Sequence, residues 1–222
     1  MRQAARWMCP LTILTMTMRV ESLKPSQRKK GRFLLTLEDG TLLRLTEDEL
    51  LRFHLREGQE LDSEMLEQLK RSAAASNTKV QAANMIASCP LSRRELQKRL
   101  VRKGNDASDA EETVDWLERI GAVNDEAYAR SLVRHYASRG YGPARIREEM
   151  HRRGVPKELW DDALSELPDS GDTLDALIEK KCRGDLSDPR ERKRLCDALL
   201  RRGFSWSEVR AAMGRYTELP EE

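Results

Sequence analysis

The stretch that decides the fold runs from residue 142 to residue 154, GPARIREEMHRRG, and it has two echoes in the chain. Residues 92–104 read SRRELQKRLVRKG, and residues 191–203 read ERKRLCDALLRRG. Each ends on a basic pair and a glycine, at Gly104, Gly154 and Gly203. The glycines lie 50 and 49 residues apart. Aligned on them, apolar residues recur at fixed offsets. Leu96, Ile146 and Leu195 stand eight before; Leu100, Met150 and Leu199 stand four before. Ala110, Trp160 and Val209 follow six after, then Val114, Leu164 and Met213, then Leu117, Leu167 and Tyr216. Self-similarity at this period means stacked supersecondary units.

Each unit reads as three helices. The helix before the glycine opens on Ser92 with Glu95, on Gly142-Pro143, or on Asp188-Pro189, all good start signals. The glycine ends it as a left-handed cap, with the basic pair facing the negative end of the helix dipole. A following helix begins near Ala107, near Pro156, and at Ser205 with Glu208. A preceding helix is expected at 79–87, 125–138 and 171–183. In the second unit it shows Tyr128, Leu132, Val133 and Tyr136 at helical spacing.

Ahead of the repeats, Arg32–Leu37 and Thr41–Leu45 flank Glu38-Asp39-Gly40, a hairpin signal. Thr46 with Glu49 forms a capping box, and Asp62 can cap a second helix with Met65, Leu66 and Leu69. Residues 19–31 are polar and basic and read as a flexible lead-in. Further upstream, Arg2 and Arg6 precede Trp7–Met18, loosely like a secretion signal, but Pro10 and several threonines break the run. The favoured reading there is a start at Met16 or Met18, or a disordered tail. The expected architecture is therefore all-α: three tandem three-helix, helix-turn-helix-like repeats forming an elongated curved rod, with a small N-terminal β-hairpin plus helix module. The expected boundaries are 1–31, 32–78, 79–122, 123–169, 170–216 and a tail at 217–222.

Composition agrees with thin modules. The chain has 222 residues, 35% charged and only 5% aromatic, with 40 Lys and Arg against 38 Asp and Glu. That argues against one thick core and against a sandwich or barrel. Charge is sorted between helices. Residues 92–104 hold Arg93, Arg94, Lys98, Arg99, Arg102 and Lys103 against Glu95. Residues 143–154 hold Arg145, Arg147, Arg152 and Arg153 against two acids, and residues 190–203 include Arg192, Lys193, Arg201 and Arg202. The helices after Gly104 and Gly154 are acidic. Stacked in register, the middle helices would offer a basic stripe to phosphates or to an acidic protein groove.

Catalytic signals are missing. His54, His135 and His151 have no acid or cysteine at ligand or triad spacing. Cys9, Cys89, Cys182 and Cys196 form no CxxC pair and are expected to be reduced thiols in a cytoplasmic protein. No phosphate-loop, dinucleotide or zinc-hydrolase motif occurs, and no apolar run reaches membrane-spanning length. The expectation is a binding protein without catalytic residues, metal or cofactor, not an enzyme.

The residues Asp125-Glu126-Ala127-Tyr128-Ala129-Arg130-Ser131, Arg139-Gly140-Tyr141-Gly142-Pro143-Ala144-Arg145-Ile146 and Arg153-Gly154-Val155 resemble the signature of the RecX family. Leu91–Leu96 with Lys103-Gly104 is similar to that family's first unit, and Arg201–Ser205 to its third. The first unit departs at Asn105, where the third has Phe204. The resemblance covers roughly 79–216. The module at 32–75 is also similar to an N-terminal extension of some members. It implies a regulator of the RecA recombinase, usually an inhibitor, that binds the RecA filament on single-stranded DNA as a monomer. The residues assigned to that surface are Arg93, Arg94, Lys98, Arg99, Arg102, Arg145, Arg147, Arg152, Arg153, Arg192, Lys193, Arg201 and Arg202, facing filament acids or single- or double-stranded DNA. The alternative from the residues alone is a helix-turn-helix transcription factor, which the acidic third helices disfavour.

Overall fold

The computed structural model describes residues 17–27, 30–182 and 186–217. The start reading at Met16 and the tail beyond Thr217 lie outside them. The chain divides into two compact units between Gln81 and Ala82.

The first unit is a sheet with helices. Strands β1 (Met18–Pro25), β2 (Arg32–Leu37), β3 (Leu42–Thr46) and β4 (Glu60–Leu61) pair antiparallel in the order β3-β2-β1-β4. The predicted hairpin is β2–β3, turned at Gly40 with φ +80°. Two expectations need correction. The segment from residue 18 is a strand and not a flexible lead-in, and the hairpin is half of a four-stranded sheet. Neighbouring basic residues mask the alternation around Val20, which is fully buried against Leu35, Leu37, Leu45 and Leu61. A lone hairpin is marginal in water, and β1 supplies the missing pairing.

Helix α1 (Glu47–Arg52) starts on the predicted capping box. Thr46 N–H donates to Glu49 Oε2 at 2.7 Å, and Glu49 N–H donates back to Thr46 Oγ1 at 3.3 Å. The buried Glu49 carboxylate also accepts from the hydroxyls of Ser72 and Ser76 on α2 (Ser63–Ser88). Replacing Thr46 by Ala should cost about 1 kcal/mol, read by thermal melting of the full chain.

Helix α2 corrects a third expectation, since it runs unbroken for 26 residues where two helices were predicted. The expected boundary at 78/79 falls at the end of the polar stretch Ser76-Asn77-Thr78. Instead these side chains bond back to the carbonyls of Ser72, Ala73 and Ala74, so their polarity is absorbed within the helix. Its first half places Leu66, Leu69 and Ala73 in the core of the first unit, and its last turns place Ala82 and Met85 in the core of the first repeat.

The second unit holds the repeats. With the end of α2 go α3 (Arg93–Arg102) and α4 (Ala107–Arg119). The second repeat is α5 (Asp125–Ala137), α6 (Pro143–Arg152) and a 3-10 turn (Lys157–Leu159) leading into α7 (Trp160–Leu164). The third is α8 (Ser170–Lys181), α9 (Pro189–Leu200) and α10 (Trp206–Thr217). Each has its own core cluster. The residues eight and four before each glycine are fully buried in all three copies. Of the offsets after it, only Trp160, Leu167 and Tyr216 are partly exposed. At Asn105 the apolar plug formed by Val155 and Phe204 in the other copies is replaced by a hydrogen bond. Its Nδ2 donates to the Leu100 carbonyl at 2.8 Å, adding to the Lys103 and Asn105 backbone N–H groups that the same carbonyl accepts.

Candidate functional site: a basic cleft at a repeat junction

The middle helices α3, α6 and α9 are joined end to end, and the repeat glycines make the joints. Between repeats one and two, the Ser92 hydroxyl caps α3 through Glu95 N–H and donates to the Arg153 carbonyl at the end of α6. Arg93 N–H, at the first turn of α3, donates to Asp125 Oδ1 of the next repeat at 2.7 Å. Burial pushes the Asp125 carboxyl up, with the Arg93 amide pulling against it. Gly154 packs on the stem of Arg94.

Between repeats two and three the joint is tighter, and the bonds between the two helix ends run backbone to backbone. Gly142, which holds the same place before its repeat glycine as Ser92, donates N–H to the Arg202 carbonyl at 2.8 Å. Ala144 N–H, in the first turn of α6, donates to the Gly203 carbonyl at 3.1 Å. The end of α9 thus caps the start of α6, which has no side-chain cap of its own. Across the same joint Arg202 donates to the carbonyls of Arg139 and Gly140 at 2.7 and 2.8 Å and lies over the Tyr141 ring.

Bringing the end of α6 against α3 encloses a cleft of about 590 Å³ lined by Arg94, Lys98, Arg99 and Arg102 from α3 and His151, Arg152 and Arg153 from α6. Its cations are of two kinds. Arg94, Lys98 and Arg102 are exposed and make no ion pair or side-chain hydrogen bond among the described residues. The others are braced. Arg99 pairs with Glu95 one turn earlier. Arg152 and Arg153 converge on Glu149, with Arg145 reaching it from the opposite turn at 3.5 Å. The Glu149 carboxylate is buried and accepts from Tyr136 OH at 3.0 Å. Burial alone would raise its pKa, but hydrogen bonds from Arg152 and Tyr136 and the charges of Arg152 and Arg145 outweigh it and hold it below the usual carboxylate range. Arg153 also donates to Tyr128 OH at 3.0 Å.

The cations expected at the contact surface fall on α3, α6 and α9 or the turns that end them, and their spacing alone does not separate free cations from braced ones. Arg93 belongs to the fold, since its guanidinium bridges Asp115 and Glu118 of α4. Arg145 pairs with Glu148 and Glu149, and Arg202 is part of the second joint. Arg147, Lys193 and Arg201 are exposed and Arg192 partly so, all without an ion pair among the described residues, and none lines the cleft. The acidic third helix of the second repeat also places part of its charge in surface ion pairs within the repeat: Arg130 pairs with Asp162 and Glu166, and Arg134 with Glu166. Glu149, Asp125 and Tyr136 were not foreseen as positioning groups. The spacing of Glu149 to Arg145, Arg152 and Arg153 was the available signal, since residues three and four apart share a helix face.

Among the described residues no His, Cys, Asp and Glu cluster could hold a metal ion, and no helix is long and apolar enough to cross a membrane.

Three-helix bundles joined through the ends of their middle helices define the class, a tandem three-helix-repeat protein. Comparison with known proteins supplies the family. The sequence models of the RecX second and third three-helix domains match residues 124–164 and 169–213. Regulatory protein RecX of Chromohalobacter salexigens is 35% identical over 138 residues, which are 62% of this chain and 91% of that protein. Its counterpart in Geobacillus kaustophilus is 29% identical over 214 residues, 91% of this chain and 80% of the relative. A crystal structure of regulatory protein RecX superposes with a TM-score of 0.67 at 22% identity, covering 89% of this chain and 99% of that one. RecX from Lactobacillus salivarius gives 0.61 at 21% identity, covering 67% and 99%. The chain belongs to the RecX family of regulatory proteins.

Proposed function

We propose that this chain regulates the RecA recombinase by binding the RecA filament on single-stranded DNA, and that it inhibits the filament's ATPase, strand-exchange and coprotease activities. Family membership supports a regulator. The observation that carries the contact surface is the junction cleft, where Arg94, Lys98 and Arg102 stand free beside Arg99, Arg152 and Arg153 held in place by Glu95 and Glu149. Pre-placed guanidinium groups lose little side-chain freedom on meeting carboxylates or phosphates, and their planar fork pairs with either. The chain acts as a monomer, through contacts and without catalysis.

Titrating the chain into RecA on single-stranded DNA and measuring ATP turnover tests the reading. Turnover is expected to fall as the chain approaches stoichiometry, and unchanged turnover overturns the proposal. The double substitution Arg94→Glu, Lys98→Glu should weaken inhibition by roughly ten-fold or more, since reversing two rim charges changes attraction to repulsion. Both charged ends are exposed and unpaired among the described residues, and glutamate keeps the Cβ and Cγ on which Gly154 packs, so the melting temperature should change little.

A further inference from the structure

The repeat glycines show a docking geometry that the chain uses twice and offers a third time. Gly154 and Gly203 each receive the N-terminal turn of the preceding middle helix. Gly104 has the same backbone, φ +88° against +73° and +90°, yet among the described residues nothing beyond its own chain neighbours lies within 4 Å of where its side chain would begin. The carbonyls that accept the incoming helix are those of Arg153 in the first joint and of Arg202 and Gly203 in the second. Their counterparts on Lys103 and Gly104 accept no hydrogen bond among the described residues, and Arg102 and Lys103 beside them are exposed and unpaired.

The two filled joints state what fits. The occupant is the first turn of a helix, directing N–H or hydroxyl groups at the turn's carbonyls, with the positive end of its dipole against the negative end of α3. Its cap residue is small, glycine in one joint and serine in the other. A second copy of this chain does not supply it through its hydroxyl caps, since Thr46 and Ser205 already donate to Glu49 and Glu208, nor through its remaining middle helix, α9. Helix α9 starts 14 residues before its glycine, where α3 and α6 start 11 before, and it is capped by Asp188. A carboxylate there cannot donate to a carbonyl and repels it. The third repeat thus closes its end of the stack, and the first leaves its end open.

We propose that the Gly104 turn docks the N-terminal turn of a helix from a different protein, capped by glycine, serine or threonine. Taking that protein to be the filament's own rests on the function proposed above.

The experiment compares Gly104→Asn with Gly121→Asn in the full chain. Gly121 also has a positive φ, +73°, with nothing near it, so both variants carry the same kind of backbone cost, and asparagine tolerates that conformation. Both should melt alike. Binding to RecA filaments on single-stranded DNA, read by sedimentation, should weaken about ten-fold or more for Gly104→Asn, as loss of two junction hydrogen bonds implies, and hold for Gly121→Asn. Equal binding by both overturns the docking surface and leaves the regulator reading standing. No binding by the unmodified chain overturns the regulator reading and the partner named with it. Concentration-dependent self-association that Gly104→Asn abolishes overturns the choice of another protein over a second copy.

Discussion

Gly203→Ala should destabilise the repeat unit by about 3 kcal/mol or more, while Gly104→Ala should cost only about 1. Both glycines sit in the left-handed region, at φ +90° and +88°, so an L side chain pays the same conformational penalty at either place. They differ in what a methyl would meet. At Gly203 the new carbon would lie 2.6 Å from Arg145 Cβ, and the backbone of α6 cannot withdraw without losing its cap. The Arg202 and Gly203 carbonyls would release the N–H groups of Gly142 and Ala144, and at the buried Gly142 a donor without an acceptor is costly. Gly142→Ala should behave like Gly203→Ala, since its methyl would stand 2.5 Å from the Gly203 carbonyl oxygen. Urea unfolding followed by circular dichroism would read the difference. Equal losses at Gly104 and Gly203 would show that the joint contributes nothing beyond the turn.

The second large effect is expected at Glu149. Removing its carboxylate as Glu149→Ala leaves three guanidinium groups and the Tyr136 hydroxyl without their shared acceptor. The arginines reach solvent, so the cost falls below that of a fully buried pair, at about 2 kcal/mol. Function should suffer too, because Arg152 and Arg153 would leave their places in the cleft. The same group sets a pH dependence. Glu149 is held below the ordinary carboxylate pKa in the folded chain, so its contribution is complete above about pH 4.3 and is lost as pH falls through the lower folded value. Comparing urea midpoints at neutral pH and near pH 3 should show Glu149→Gln with a shallower acid loss than the unmodified chain. Identical slopes would remove Glu149 from the acid transition.

Much of the repeat was legible because it is written in local chemistry. Ser92, Asn124, Asp188 and Ser205 each cap a helix through their own side chain, and the apolar offsets need only a period of 3.6. Strand β1 was hidden because the bulge between Val20 and Ser22 breaks its alternation, and one of its two partners, β4, lies far along the chain at Glu60–Leu61. The continuity of α2 was hidden because Ser76, Asn77 and Thr78 look like a turn until their hydroxyl and amide groups turn back onto the helix.

The order of helices, the glycine turns and the placing of positive charge on the middle helices were decided by the sequence itself. Each depends on residues within a turn or two of one another, where propensity and capping act. The division of the arginines into those that brace and those that stand free was decided only by the tertiary structure. So was the meaning of the three glycines, two packed into joints and one left open. Those distinctions depend on which helix end arrives within 3 Å of which carbonyl, and residues some sixty positions apart, Ser92 and Arg153 or Gly142 and Arg202, set that distance only once the chain has packed.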